Sequence, residues 1–182
     1  MDRITVYDRI FKKDITCDRI QEAVKRIARD IMADYGQANP LFLCVLNGSF
    51  MFASDLMKEY TGSCQLSFIK LASYRGTQST EEVKTLIGLT EDINGRDVVI
   101  VEDIIDTGIT ISNLLEDLQA YQPNSIRVAT LLLKPAALRS DIRPDYVGLE
   151  IPNDFIVGYG LDYEGYGRNS RDIYKIVESN LP

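Results

Sequence analysis

Apolar residues recur along this chain in two rhythms, and the switches between them mark out its elements. From Asp18 to Tyr35, Ile20, Val24, Ile27 and Ile31 fall at three- and four-residue intervals, which predicts an amphipathic helix ending near Gly36. Asn39-Pro40 breaks the chain. Leu41 to Leu46 (L-F-L-C-V-L) then runs unbroken, the composition of a strand covered on both faces. Leu46-Asn47-Gly48-Ser49 forms a turn with small residues before a second predicted helix, Phe50 to Tyr60. Leu66 to Ser73 alternates enough for a strand, Tyr74 to Glu82 is polar and rich in Gly, Ser and Thr, and Val83 to Leu89 resumes as a strand. Asn94-Gly95 signals a turn into the β-branched run Val98 to Val101, which Glu102 and Asp103 end. After Asp106, Thr107, Gly108 and Thr110 the spacing becomes helical again, with Ile111, Leu114, Leu115 and Leu118 on one stripe, until Pro123-Asn124. Ile126 to Leu133, Tyr146 to Ile151 and Ile173 to Val177 complete the strands, and Met1 to Thr16 reads as partly extended, returning to pack near the C-terminal segment.

Strands alternating with helices predict an α/β fold: a mainly parallel core sheet of about five strands flanked by helices. The acids and hydroxyls after Val101 are then expected on a loop between a strand's carboxyl end and a helix's first turn, which is where open α/β sheets bind ligands. No repeat, linker or low-complexity tract divides the 182 residues, so one domain is expected.

Composition narrows the chemistry. A net charge of −7 and an isoelectric point near 4.7 argue against broad nucleic-acid binding, but not against a small anion held by local donors. Cys17, Cys44 and Cys64 are odd in number and lack metal-ligand spacing, which fits thiols in a reducing compartment. With no apolar signal core and no membrane-length run, a cytoplasmic location without a membrane partner is expected. There is no histidine, so a general base must be a carboxylate or another side chain.

The loop itself supplies the sharper clue. The first N–H groups of a helix lack partners and favour an anion, Thr107 and Thr110 add hydroxyl donors, and Gly108 permits close backbone approach. The stretch lacks the lysine of a P-loop and the spacing of a dinucleotide fingerprint. Carboxylates beside a phosphate cradle repel the phosphate unless something separates them. A ribose 5-phosphate satisfies this, its hydroxyls facing the acids and a divalent cation bridging nearby. The plainer reading is a strand ending in a solvated acidic turn with an N-capping threonine.

The run V-V-I-V-E-D-I-I-D-T-G-I-T, Val98 to Thr110, resembles the phosphoribosyl-diphosphate signature of type I phosphoribosyltransferases. In its E-D-I-I-D-T-G form it is most similar to the hypoxanthine–guanine phosphoribosyltransferases. The resemblance extends from about Leu41 to Arg168. It implies that fold, with a small hood built from the chain's N- and C-terminal segments, and Mg2+-dependent transfer of 5-phosphoribosyl from phosphoribosyl diphosphate to N9 of hypoxanthine or guanine. It also implies a homodimer or homotetramer.

Site residues follow from the same resemblance. Glu102, Asp103, Asp106, Thr107, Gly108, Ile109 and Thr110 would hold the ribose 5-phosphate, with Asp106 as candidate general base. Leu46, Asn47 and Gly48, with Arg168, would hold pyrophosphate. Many family members carry lysine where Asn47 stands, so backbone N–H groups should matter more here. On the residues alone, this turn reads equally as an anion site or as an ordinary turn with Ser49 as N-cap. Lys134, Phe155, Ile156, Val157 and Leu161 would hold the purine. An ammonium has three donors and no acceptor, which suits a 6-oxopurine rather than adenine. By composition, Lys134 also reads as a solvated strand cap and Phe155 to Tyr163 as a small apolar cap. Glu102, Asp103 and Asp162 would lie at the metal. Ser73 and Tyr74 would open a closing lid, where composition alone suggests a disordered hairpin. Two other classes stay in view: a non-catalytic regulator on the same scaffold, and a phosphatase using Asp103 or Asp106 as nucleophile.

Overall fold

The computed structural model describes residues 2–74 and 82–177. In chain order the elements are β1 (Arg3–Val6), β2 (Arg9–Ile15), α1 (Cys17–Tyr35), β3 (Leu41–Leu46), α2 (Phe50–Glu59), β4 (Gln65–Tyr74) and β5 (Glu82–Ile87). There follow β6 (Asp97–Ile105), α3 (Ile109–Gln119), β7 (Ser125–Leu133), β8 (Tyr146–Glu150), β9 (Ile156–Val157) and β10 (Ile173–Ile176). No helix among the described residues is long and apolar enough to cross a membrane.

The large sheet has the order β5-β4-β3-β6-β7-β8. Its five strands from β4 to β8 run parallel, and β5 pairs antiparallel at the edge beside β4. The continuous apolar runs are the inner strands: Leu41 to Cys44 and Val98 to Val101 are fully buried, as strands covered on both faces must be. Two cores result. One lies under α1 and α2, where Ile20, Val24, Ile27 and Ile31 meet Phe42, Cys44, Val99 and Val101. Burial of each such aliphatic side chain stabilises by about 1.5–3 kcal/mol. The other lies under α3, where Ile111, Leu114 and Leu118 meet Leu41, Leu43, Val98 and Ile100.

The small sheet, in the order β1-β2-β10-β9, is antiparallel throughout. The opening residues do return to the C-terminal segment: β2 lies between β1 and β10, with Phe11 paired to Ile176 and Ile15 to Ile173. Its core is Val6, Phe11, Val157 and Tyr174.

Three expectations need correction. The strand before the acidic loop does not stop at Val101, because Glu102, Ile104 and Ile105 continue the ladder to Thr130, Leu132 and Leu133 of β7. Glu102 and Asp103 therefore lie in a strand, and only Asp106 to Gly108 form the loop. Tyr74 and Glu82 pair with each other in β4 and β5, so the polar excursion is shorter than expected. Its residues 75–81 lie outside the described residues, and with them the body of the expected lid; Ser73 and Tyr74 close β4. Finally, Ser49 is no side-chain cap for α2: its hydroxyl donates back to the Val45 carbonyl at 2.6 Å.

Candidate active site

Three strand ends and one returning segment build the site at the carboxyl edge of the large sheet. The end of β3 delivers Leu46-Asn47-Gly48, whose Leu46–Asn47 peptide is cis. The end of β6 delivers Glu102 to Asp106, and β7 delivers Lys134 as the first residue beyond its last, Leu133. The segment from Phe155 to Arg168 arrives from the small sheet.

Two clefts lie side by side here. The first, of about 260 Å³, is lined by Leu46, Leu71, Glu102, Asp106, Thr107 and Thr110, among others. The second, of about 350 Å³, is lined by Gly48, Asp103, Asp106, Lys134, Phe155 and Arg168, with Ile156, Leu161 and Asp162. Both clefts include Ile104 and Asp106, so these two residues stand at their junction.

The floor of the first cleft is the start of α3. Gly108 is its N-cap with φ +78 and offers no side chain, and among the described residues the one side-chain contact to the first turn is a long one, Ile109 N–H to Thr107 Oγ1 at 3.5 Å. The N–H groups of Thr110 and Ile111 are left to a ligand, as expected for an anion site. Gly108 is required for a different reason than close ligand approach. A Cβ there would fall 2.3 Å from Ser140 Oγ and 2.7 Å from Ile142 Cγ2, so glycine lets the loop pack against the segment after β7. That segment braces the loop further: Arg139 N–H donates to the Thr107 carbonyl at 2.9 Å.

The acids occupy unequal environments. Glu102 Oε2 is shielded from solvent and has no hydrogen-bond partner among the described residues. Burial, and then the adjacent Asp103 charge, push its carboxyl well above the ordinary value. Burial also raises Asp103, although a hydrogen bond with Glu102, then the Ile104 N–H and the Arg168 charge, oppose the shift. Asp103 presses on the β3 turn: a Cβ at Gly48 would lie 1.7 Å from Asp103 Oδ2. Asp106 is half-exposed and pairs with Lys134, Nζ to Oδ2 at 2.9 Å, while the lysine is only 7% exposed. Lys134 is therefore no solvated strand cap; its stem is buried and its ammonium is aimed at the junction.

In the second cleft Arg168 reaches Asp162 Oδ1 at 2.5 Å and the Gly160 carbonyl at 2.6 Å. Asp162 Oδ2 accepts from Gly165 N–H, so both of its oxygens have protein partners. Phe155 is exposed and meets Tyr163 in a T-shaped contact at 5.7 Å. Val157 does not line the cleft. Its side chain is in the core of the small sheet, which leaves only its backbone to meet a ligand. Ile109 and Asn47 line neither cleft, whereas Ile104, which the sequence reading passed over, lines both.

Among the described residues no three potential ligands cluster into a metal cage. The unpartnered oxygen of Glu102 beside the buried Asp103 carboxylate does fit a hard divalent cation. Mg2+ commonly takes only one or two carboxylates from protein and the rest from phosphates and water.

Residues 16–164 match the phosphoribosyl transferase domain. The chain belongs to the phosphoribosyltransferase family. It is 40% identical over 156 residues to the hypoxanthine-guanine phosphoribosyltransferase of Bacillus subtilis, covering 85% of this chain and 87% of that protein. It is 40% identical over 171 residues to human phosphoribosyltransferase domain-containing protein 1, covering 87% of this chain and 75% of the relative. A crystal structure of a hypoxanthine-guanine phosphoribosyltransferase from Bacillus anthracis superposes with a TM-score of 0.87 at 36% identity, covering 91% of this chain and 98% of that one. The fold is the type I phosphoribosyltransferase fold, its small antiparallel sheet being the hood. Membership in this family sets aside the phosphatase reading of Asp103 and Asp106.

Proposed function

We propose that this chain transfers the 5-phosphoribosyl group from phosphoribosyl diphosphate to N9 of hypoxanthine or guanine, releasing pyrophosphate and the nucleotide. The observation that carries the reading is the junction at Ile104 and Asp106, with a glycine-capped helix start on one side and a buried ammonium on the other. A nucleotide has the same layout: phosphate, ribose, then base. That relatives bear the hypoxanthine-guanine name supports the choice of base.

Each role follows from charge and place. Asp106, Thr107, Gly108, Ile109 and Thr110 hold the 5-phosphate through the first turn of α3 and the two hydroxyls. Glu102 and Asp103 accept from the ribose hydroxyls. Leu46, Asn47 and Gly48 hold pyrophosphate through backbone N–H groups, and Arg168 supplies the cation that neutral Asn47 does not. Lys134 donates to the purine's exocyclic oxygen, Phe155 stacks on its face and Leu161 covers the other side. Backbone carbonyls near Ile156 and Val157 accept from the amino group of guanine. Glu102 and Asp103, with Asp162 nearby, would hold Mg2+, which would supply charge neutralisation for the departing diphosphate.

The bond from C1 of the ribose to the diphosphate breaks ahead of bond formation to N9, so positive charge develops on the sugar. The neighbouring carboxylates stabilise it. Asp106 takes or shares the proton that the purine gives up, and its pairing with Lys134 keeps a positive charge beside the carboxylate until the base arrives. Closure over the site excludes the water that would otherwise capture the ribosyl cation, with Ser73 and Tyr74 at the root of the lid. The reading is of one domain, located in the cytoplasm, assembled as a homodimer or homotetramer.

A spectrophotometric panel tests it: hypoxanthine, guanine, xanthine, adenine and orotate, each with phosphoribosyl diphosphate, with and without Mg2+. Turnover of hypoxanthine and guanine only with Mg2+ is expected. Equal use of adenine and hypoxanthine overturns the base assignment, and no turnover of any base overturns the activity.

A further inference from the structure

Tyr159 lines neither cleft, yet it is one of the largest fully buried side chains of the chain. Its hydroxyl donates to Asp55 Oδ2 at 2.7 Å. Gln21 Nε2 donates to the same oxygen at 2.6 Å, and Lys58 Nζ holds Asp55 Oδ1 at 2.8 Å. Burial alone would raise the Asp55 carboxyl, but the donors Lys58, Tyr159 and Gln21 outweigh it and hold the group below its ordinary value.

A buried tyrosine hydroxyl needs some partner, so the bond alone is unremarkable. Its placement is what matters. Asp55 belongs to α2, which leaves directly from the Leu46–Ser49 turn. Tyr159 belongs to the hood segment that carries Arg168. Tyr159 has φ +48 and stands between Gly158 at φ +102 and Gly160 at φ +98. Gly160 then abuts the β3 turn so closely that a Cβ on it would fall 2.0 Å from the Gly48 carbonyl oxygen. The Gly160 carbonyl accepts from Arg168 Nη1 at 2.6 Å, and its N–H donates to the Arg168 carbonyl at 2.9 Å. One residue therefore links two groups: the backbone of Gly48 and the guanidinium of Arg168 both rest on Gly160, whose neighbour is bonded to α2.

We propose that Tyr159, through its hydrogen bond to Asp55, is a positioning residue for pyrophosphate, fixing the hood segment that carries Arg168 against the turn that carries Gly48. The inference rests on the pyrophosphate assignment made above. Tyr159 touches no substrate. Lys134 at the end of β7 and the start of α3 do not depend on this bond. Phe155 and Ile156 are tied to β10 by the ladder and by Ile176 N–H, which donates to the Phe155 carbonyl at 2.9 Å. Of the contacts to a nucleoside monophosphate, only Leu161 therefore lies in the linked stretch.

The test uses the reverse reaction of the full chain, inosine monophosphate with pyrophosphate and Mg2+. Tyr159→Phe removes the hydroxyl, Asp55→Ala removes the acceptor, and Asp55→Asn keeps one acceptor oxygen. Tyr159→Phe and Asp55→Ala are expected to raise KM for pyrophosphate about fivefold or more, while Kd for inosine monophosphate stays within about twofold. Asp55→Asn is expected to restore most of the loss. An unchanged pyrophosphate KM in Tyr159→Phe, or an equal weakening of both ligands, overturns the positioning role. Should Tyr159→Phe not fold, the Asp55→Ala and Asp55→Asn pair carries the same comparison. Arg168→Ala separates the two layers: an unchanged pyrophosphate KM there overturns the subsite itself, whereas a raised value there beside an unchanged one in Tyr159→Phe overturns only the positioning.

Discussion

Glu102 and Asp106 stand four residues apart and are set up for opposite tasks. Asp106 is half-exposed and paired with Lys134, so its carboxylate is available to exchange a proton with a base in the second cleft. Asp106→Asn keeps the shape and removes the basicity. We expect turnover to fall by about 10²–10⁴, with little change in KM, in steady-state assays with hypoxanthine. Glu102 has its carboxyl raised above the usual 4.5, first by burial and then by the Asp103 charge. The folded chain thus binds that proton more tightly than the unfolded chain, so stability falls as pH climbs from about 4.5 toward the raised value. Glu102→Gln removes this titration. Thermal melts should show the variant melting above the parent at pH 8, and the advantage should shrink as pH falls to about 4.5. At this scale the sequence was readable where charge stands in a recognisable order, as in Glu102-Asp103 and Asp106-Thr107-Gly108. It was silent on Lys134 pairing with Asp106 and on Tyr159 reaching Asp55, since those pairs are 28 and 104 residues apart.

At the level of elements, periodicity placed the central runs well, because a strand covered on both faces has few ways to be written. It failed at the end of β6. Val99 and Val101 pack into the α1/α2 core and Val98 and Ile100 into the α3 core, yet beyond the acids the order reverses, with Ile104 against the first core and Ile105 in the second. A two-residue period cannot foresee that reversal, and it is why Ile104 was missed. Had the ladder been carried through Ile104-Ile105, both β-branched, that residue would have stood out. The β3 turn is fitted to the end of this strand. With 1.7 Å between a Cβ at Gly48 and Asp103 Oδ2, Gly48→Ala forces either the turn or the carboxylate to move. We expect a loss of about 1–3 kcal/mol in denaturant unfolding and a fall in turnover of about 10²-fold or more.

For the whole molecule, the net charge of −7 and the anionic substrates pull in opposite directions, and the site resolves this locally with Lys134, Arg168 and the start of α3. The outer surface carries an independent feature. Leu66 and Phe68 stand opposite Phe42 and Cys44 on the side of the sheet that α1 and α2 cover, but both remain exposed, as does Phe50 at the start of α2. Exposed apolar groups of this size are suited to a second copy of the chain. On the proposed homo-oligomer, Phe68→Lys should lower the mass found by light scattering to that of a smaller assembly, and an unchanged mass overturns this face as the contact.

The interleaved order of the hood fixes the sequence in which the two clefts can be completed. The residues lining the first cleft, and the segment from Arg139 to Ile142 that braces its loop, are all synthesised before β2 gains its second neighbour, which comes only with Ile173 to Ile176. A nascent chain halted in between would have a finished phosphate cradle beneath a hairpin with one bare edge. Such a chain is ready to hold the sugar and still unable to enclose the base, and its open edge is where a stray strand would attach.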